Sequence, residues 1–353
     1  MPDTNGKLVV AVTGAAGYVA GRLVDGLCAD ERIQRVLGFD VRPPKISSGK
    51  FVFDQIDVRN DALESRLQGV DVVVHLAFVM DPIKDEAEMR DVNVNGSQNV
   101  FKSAARAGVK KIVYTSSAVV YGAHPDNDVP LTEESPLRAN LDFSYPAHKL
   151  EVEYVVKEVA SEWSHLDWVV FRPAIVFGPN VDSAWAHFLE APVFLGVKGY
   201  SPPLQFVHED DVGRALHWAA TEGVTGYFNL APEGWLESDE VLAIVGRRRR
   251  DLPEPLAFAL AERLWDLGMI EAPAGMLHYL MHPWVVSSDK LRAAGFEPTR
   301  SNFETFVEVA DRARGHVRLG TRRLRRVDLV RAGVAGLGVL GAVAGARAVR
   351  ARS

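Results

Sequence analysis

Apolar residues in the first half of the chain gather in short runs rather than in helical stripes. Leu8–Val12 (LVVAV), Val36–Phe39, Val70–Leu76 (VDVVVHL), Lys111–Thr115 (KIVYT) and Trp168–Phe171 (WVVF) are rich in β-branched side chains and bounded by polar segments. Runs of this length and kind read as strands buried on both faces. Helical stretches from Gly21 to about Cys28 and from Val100 to Ala107 lie between them. This alternation predicts an α/β fold, a Rossmann-type doubly wound parallel sheet with helices on both faces. Beyond Arg172-Pro173 the pattern becomes irregular and rich in proline, glycine and tryptophan, as expected of a smaller C-terminal substrate-binding subdomain.

The first strand runs straight into Thr13-Gly14-Ala15-Ala16-Gly17-Tyr18-Val19-Ala20. Gly14 and Gly17 permit a tight turn and a close approach of backbone to a pyrophosphate. The amino end of the next helix would face the phosphates with its unpaired N–H groups and positive dipole. Ala20 stands where a small residue lets helix pack on strand. Asp40, at the end of the second strand, is placed to take the ribose hydroxyls of NAD and to repel a 2′-phosphate. Arg42 keeps NADP open, with NAD favoured. Asp57-Val58, after Phe51–Ile56, is placed to meet the adenine.

Tyr145-Pro146-Ala147-His148-Lys149 sets a tyrosine and a lysine four apart, on one face of a helix. A phenol with a pKa near 10 is a poor base at neutral pH, and an ammonium beside it stabilises the phenolate. Ser117, at a strand end in Tyr114-Thr115-Ser116-Ser117-Ala118-Val119-Val120-Tyr121-Gly122, could hold a substrate oxygen while Tyr145 moves the proton.

From about Leu8 to Phe306 the sequence resembles the extended short-chain dehydrogenase/reductases, the NAD-dependent epimerase/dehydratase group. The glycine turn, His75-Leu76-Ala77, Asn93-Val94-Asn95-Gly96, SSAVVYG and YPAHK carry the resemblance. So do Arg172–Asn180 (RPAIVFGPN), Phe206–Val212 (FVHEDDV) and Ser288–Pro298 (SDKLRAAGFEP). It implies hydride transfer at a secondary alcohol or ketone carbon, with Tyr145 as general acid/base, Ser117 polarising the carbonyl and Lys149 holding the nicotinamide ribose. Tyr18, Val19, Leu76, Ala77, Pro173 and Ala174 would line the cofactor. Asn93 would support the active-site water and lysine, and Phe177, Asn180 and His208 would border the substrate. Family members often dimerise through the helices bearing the tyrosine motif, which makes a homodimer an expectation.

Departures from the family pattern bear on the reaction. Members that eliminate water carry an Asp-Glu pair after the catalytic Ser/Thr, where this chain has Ala118 and Val119. Many nucleotide-sugar members have an arginine clamping the substrate pyrophosphate near the position of Leu204, and leucine cannot make that contact. Arg214 or Lys198 could substitute. The apolar, aromatic stretch Leu252–Trp284, with Trp265, Tyr279 and Trp284, suits a lipophilic alcohol or ketone, and equally the core of a small subdomain. Nucleotide-sugar epimerisation and hydroxysteroid-dehydrogenase-like redox chemistry therefore both stand as expectations. A non-catalytic NAD-binding sensor or structural subunit is the third reading, and the retained tyrosine and lysine weigh against it.

The organisation expected is an NAD-binding domain with the Ser/Tyr/Lys set over residues 1–178, mainly a substrate-binding subdomain over 179–310, and a tail over 311–353. Charge supports separating the tail. The net charge is −6, yet from Arg312 onward eleven arginines face one acid, Asp328, giving +10 and leaving −16 for the body. An acidic body argues against nucleic acid as a partner. Ala332–Ala346 carries no charge, but fifteen residues as a helix reach only about 22 Å, short of the roughly 30 Å hydrocarbon core. Flanking arginines suit an anionic membrane surface, so the tail reads as a contact with the cytoplasmic face of a membrane, with a disordered or oligomer-packing tail as the alternative reading. A single Cys28 excludes internal disulfides and paired-thiolate metal sites, and the polar Met1–Lys7 is no signal segment, which places the body in the cytoplasm. His278 and His282 lack a third ligand, so no metal is expected. Arg247–Arg250 reads as a solvated helix end, and no Gly-x-Ser-x-Gly elbow is present.

Overall fold

In the first strand, β1 (Leu8–Thr13), Val10 and Val12 enter one apolar layer while Val9 and Ala11 enter the other. All four are buried, which is what a strand covered on both faces requires. The computed structural model describes residues 6–325 apart from 182, 192, 247, 315, 320 and 321. After β1 the chain forms α1 (Tyr18–Ala29), β2 (Ile33–Asp40), β3 (Phe51–Gln55), α2 (Leu63–Arg66), β4 (Val72–His75) and α3 (Glu86–Arg90). A π-helical turn, Asp91–Asn95, leads into α4 (Gly96–Arg106), then β5 (Lys111–Thr115), α5 (Ser144–Glu162) and β6 (Asp167–Pro173). β1, β2 and β6 run longer than the apolar runs that predict them, because their polar ends still take part in the ladders, whereas β5 matches its run and β4 occupies only Val72–His75 of Val70–Leu76.

The second half contributes β7 (Ile175–Phe177), α6 (Ala184–Leu189), β8 (Val193–Val197), β9 (Phe206–His208), α7 (Glu209–Thr221), β10 (Gly226–Leu230) and α8 (Ser238–Val245). It continues with β11 (Arg248–Leu252), α9 (Glu254–Asp266), α10 (Asp289–Ala293), α11 (Asn302–Arg314) and an antiparallel pair, β12 (His316–Leu319) and β13 (Arg322–Arg325).

Seven parallel strands form the central sheet in the order β3-β2-β1-β4-β5-β6-β10. The order reverses between β1 and β4, and the crevice beyond their carboxyl ends is where such sheets bind ligands. One face is covered by α1 and α7 through Leu23, Val24, Leu27, Val212 and Leu216. The other is covered by α2, α4 and α5 through Leu63, Val100, Phe101, Val152 and Val156. The last strand of the sheet, β10, comes from residues 226–230, so the chain returns to the core after building β7–β9 outside it. Two parallel pairs, β7 with β9 and β8 with β11, support the region that faces the crevice.

The arginine run corrects an expectation. It is not a helix end: α8 stops at Val245, where Gly246 adopts a left-handed φ of +66° and its N–H closes on the Leu242 carbonyl. Arg248–Arg250 then pair with β8 as a strand. Alternation explains how charged residues serve there, since Arg248 and Arg250 are exposed while Arg249 turns inward to the Tyr200 carbonyl and Asp251. Residues 326–353, including the apolar Ala332–Ala346, lie outside the described residues. Among the described ones no helix is long and apolar enough to cross a membrane.

The contact between α1 and α7 depends on Gly213. A Cβ there would stand 2.7 Å from the Arg22 Cβ and 3.3 Å from the Arg22 backbone carbon. Gly213→Leu should therefore lower unfolding stability by about 1–3 kcal/mol in urea titrations. A variant as stable as the wild type would show that the helices have room to part.

Candidate active site

At the carboxyl end of β1 the glycine turn is fixed from three sides. Gly14 has φ +69°, and a Cβ on it would stand 2.6 Å from the backbone nitrogen of Ala77, so only glycine fits. The Gly17 N–H donates to the Gly14 carbonyl at 2.9 Å, and the Ala16 N–H donates to Asp40 Oδ2 at 3.0 Å. The second Asp40 oxygen accepts from the Arg42 N–H. No side chain caps the amino end of α1, which starts at Tyr18 with Gly17 in extended conformation. A tight glycine turn, an uncapped helix start and an acid beside them suit the pyrophosphate and ribose of a dinucleotide.

The strip Leu76-Ala77 is bound to this turn. Thr13 Oγ1 accepts from the N–H groups of Leu76 and Ala77 at 3.2 and 3.3 Å, and it meets His75 Nδ1 at 2.7 Å. His75 Nε2 meets Ser97 Oγ at 2.9 Å, and burial pushes its pKa down to about 3, so the imidazole is a neutral spacer. Asp57 is held below the usual carboxylate range chiefly by the Arg59 guanidinium, which also reaches Glu88 and Asp91. Val58 fills the space beside Gly96, where a Cβ would stand 2.7 Å from its Cγ2.

Ser117, Tyr145 and Lys149 come together at the carboxyl end of β5. Ser117 caps a 3₁₀ turn, Ala118–Tyr121, with its hydroxyl on the Val119 N–H. Tyr145 lies in the first turn of α5 and Lys149 one turn later. Burial pushes the Tyr145 hydroxyl up to about 12; a hydrogen bond from Ser117 works against this and the Asp81 charge adds to it. Tyr18 is raised as well, mainly by burial and then by Tyr145 and Glu209 nearby. Burial brings Lys149 down to about 7, opposed by the Glu153 charge. Its ammonium donates to the Thr115 carbonyl at 2.8 Å and lies 3.6 Å from the centre of the Phe78 ring. Lys149 Nζ also lies 5.0 Å from the centre of the Tyr114 ring; among the described residues Thr115 Oγ1 and the Tyr114 hydroxyl are buried without a hydrogen-bond partner.

Asn93 is buried in the π-helical turn, a local irregularity frequent at functional sites. Its amide clamps both backbone groups of Val79, at 2.7 and 3.0 Å, and approaches His148 Nδ1 at 3.4 Å. The partner of Lys149 is thus Thr115, with Asn93 shaping the loop opposite.

Beneath this site lies an ion pair that reading the sequence missed. Glu153 and Arg172 are 0% and 3% exposed and meet in two contacts, Nε to Oε1 at 2.9 Å and Nη2 to Oε2 at 2.6 Å. Ser116 Oγ donates to Glu153 at 2.7 Å, Arg172 Nη1 donates to the Tyr121 hydroxyl at 2.8 Å, and that hydroxyl donates to Asn229 Oδ1 at 2.7 Å. Two signals were available: Glu153 stands four residues after Lys149, and Arg172 continues the strand directly after the apolar run Trp168–Phe171.

The residues expected to border a substrate are held in differing ways. Pro173 and Ala174 continue from β6, with the Ala174 N–H on the Leu230 carbonyl. Phe177 is buried and stacks on Phe206 at 5.0 Å. Asn180 binds Glu209 through its amide and its backbone N–H. His208 is buried, with Nδ1 on the Asp210 N–H and Nε2 on Glu308, so it fastens α7 to α11. Leu204 forms a bridge with Leu236, while Arg214 is turned toward Asp211, Thr299 and the Phe296 ring. Ala118 and Val119 are buried. His278 binds Asp142 and His282 packs on Tyr200; among the described residues no group of three His, Cys, Asp or Glu side chains is placed to hold a metal.

Sheet order and glycine turn define a dinucleotide-binding α/β protein of the extended short-chain dehydrogenase/reductase type. The chain belongs to the NAD dependent epimerase/dehydratase family, whose pattern matches residues 10–231, and NAD is accordingly its cofactor. An uncharacterized protein of Mycobacterium tuberculosis is 27% identical over 308 residues, covering 84% of this chain and 82% of that one. The short-chain dehydrogenase/reductase family 42E member 1 of Xenopus laevis is 29% identical over 237 residues, covering 62% and 60%. The structure of MoeE5 in complex with UDP-glucuronic acid and NAD superposes with a TM-score of 0.69 at 22% identity, covering 86% of this chain and 99% of that one.

Lys149 makes stability depend on pH. In an unfolded chain a lysine keeps its proton to about pH 10.4, whereas the folded, cofactor-free protein releases it near 7. Between those values the unfolded chain binds the extra proton, so this group makes stability rise with pH, by at most about 1.4 kcal/mol per unit. Below 7 both states are protonated and its cost is constant. Denaturant titrations of the cofactor-free protein from pH 7 to 9 should show this gain in the wild type and not in Lys149→Met; identical pH profiles would contradict it.

Proposed function

We propose that the protein catalyses NAD-dependent hydride transfer at a secondary alcohol or ketone carbon. The observation that carries this reading is the convergence of Ser117, Tyr145 and Lys149 beside the glycine turn, at the carboxyl end of the sheet. Bound NAD supplies or accepts the hydride at the nicotinamide. Ser117 holds the substrate oxygen by its hydroxyl. Tyr145 gives that oxygen a proton in reduction and takes it in oxidation. The Lys149 ammonium, when charged, favours the phenolate and brings Tyr145 down from the value that burial gives it. In Asn93's loop and the Glu153–Arg172 pair the site has a rigid frame for these groups. A non-catalytic role would leave this buried proton-transfer set without use.

Simple oxidation or reduction, and epimerisation through a transient ketone, both fit these three groups. Elimination of water has no support, because Ala118 and Val119 carry no proton to move. For the substrate, MoeE5 and its UDP-glucuronic acid support a nucleotide sugar as one reading. Leu204 beside Leu236, and Arg214 engaged with Asp211, support a lipophilic alcohol or ketone as the other, since neither position offers a cation to a diphosphate.

A screen of nucleotide sugars against sterols and aliphatic ketones, read by NADH absorbance and by product isomer, separates these readings. Net NADH change marks a dehydrogenase or reductase; an isomer without net NADH marks an epimerase. On any substrate so found, Tyr145→Phe should lower turnover by about 10²–10⁴-fold while NAD still binds. Full turnover by Tyr145→Phe would overturn the proposal.

A further inference from the structure

A second cavity lies away from the Ser117–Tyr145–Lys149 site, between α6, β8, α9 and the 3₁₀ turn Ala274–Leu280. Its volume is about 260 Å³, against roughly 30 Å³ for one water in the liquid. Leu252, Leu260, Leu264, Met276 and Leu277 make its walls aliphatic. Water in such a space finds few polar partners, while a hydrocarbon gains about 0.8 kcal/mol for each CH₂ it buries.

One polar pair stands in these walls. His187 of α6 and Glu271 meet through Nδ1 and Oε2, and both side chains keep some exposure, 18% and 31%. Bonded to each other, the imidazole and carboxylate give the otherwise aliphatic lining one polar edge, which suits a hydroxyl group at the end of a hydrocarbon body. The carboxylate also disfavours a second anion, so an alcohol suits the pair better than a fatty acid.

The position of the cavity is defined by two ties to the cofactor side. Lys84, in the loop after β4, donates to the Trp265 carbonyl at the end of α9 at 2.8 Å and lies 4.4 Å from the Trp265 ring centre. Tyr279, in the turn that lines the cavity with Met276 and Leu277, donates to the Val119 carbonyl at 3.0 Å. The turn beside the cavity is thus anchored to the strip after Ser117. Just past α9, Leu267 and Met269 are 57% and 53% exposed, and Met269 also lines the cavity, giving its edge an apolar approach.

We propose that this cavity binds the apolar body of a small neutral amphipath, with His187 and Glu271 receiving its hydroxyl. The inference goes beyond the hydride-transfer reading and does not need it, because binding and turnover are measured separately. The test uses the full chain carrying Tyr145→Phe, which removes turnover from the readout, with octanol and octanoate as probes in calorimetric titration. Octanol should bind saturably, one per chain, and octanoate about tenfold or more weakly. Ala261→Trp, which fills the cavity, should abolish octanol binding, and His187→Phe, which leaves the cavity open, should weaken it by about tenfold. The proposal is overturned if octanol does not saturate, if Ala261→Trp still binds it, if His187→Phe binds it as well as the parent, or if octanoate binds as tightly as octanol.

Discussion

The Glu153–Arg172 ion pair is the constraint on which the arrangement of the site depends. It joins α5 to β6 where both are fully covered, so each charge has lost its water. A buried pair is tolerable only when its geometry is good and its remaining polar atoms are bonded, and removing one partner strands the other at a cost of about 3–5 kcal/mol. Here Ser116 and Tyr121 complete the bonding. Those two residues bracket the segment that contains Ser117. The same carboxylate stands one helical turn beyond Lys149 and supports its positive charge against burial. One interaction therefore sets the serine strip, the angle of the tyrosine helix and the electrostatics of the lysine.

The opposite shifts of Tyr145 and Lys149 follow from that placement. Burial favours the neutral form of both, a protonated phenol and an uncharged amine, before any ligand arrives. Pairs of titratable groups pushed away from their ordinary values mark acid–base sites, and they also store a cost that folding must bear elsewhere. The two-sided sheet supplies that compensation, with Val9 to Val12, Val72 to Val74 and Ile112 to Val113 buried in two layers.

Much of this was legible in the sequence because it depends on local pattern. Short β-branched runs located β1, β4, β5 and β6, and the glycine turn with Asp40 located the dinucleotide end, where the Ala16 N–H on Asp40 joins the two motifs. What escaped depends on distant residues. Glu153 reads as a solvated helix residue until β6 brings Arg172 beneath it, from 19 positions away. The arginines of β11 resemble a charged helix end because their partner strand, β8, is separated from them by four elements, β9, α7, β10 and α8. His208 and Asn180 look available for a substrate in sequence, yet Glu308 and Glu209 engage them only in the folded chain. The cavity beside α9 needed four separate segments to meet before it had walls.

The central claim is that Ser117 and Tyr145 hold a carbonyl carbon within reach of the nicotinamide. It is tested most directly by supplying NADH deuterated at the transferring position with a ketone that the wild-type protein turns over, and locating the label in the product by mass spectrometry and NMR. The expected result is deuterium on the carbon that bears the new hydroxyl. Product formed without the label at that carbon, with deuterium washed into solvent or left wholly in the cofactor, would contradict it.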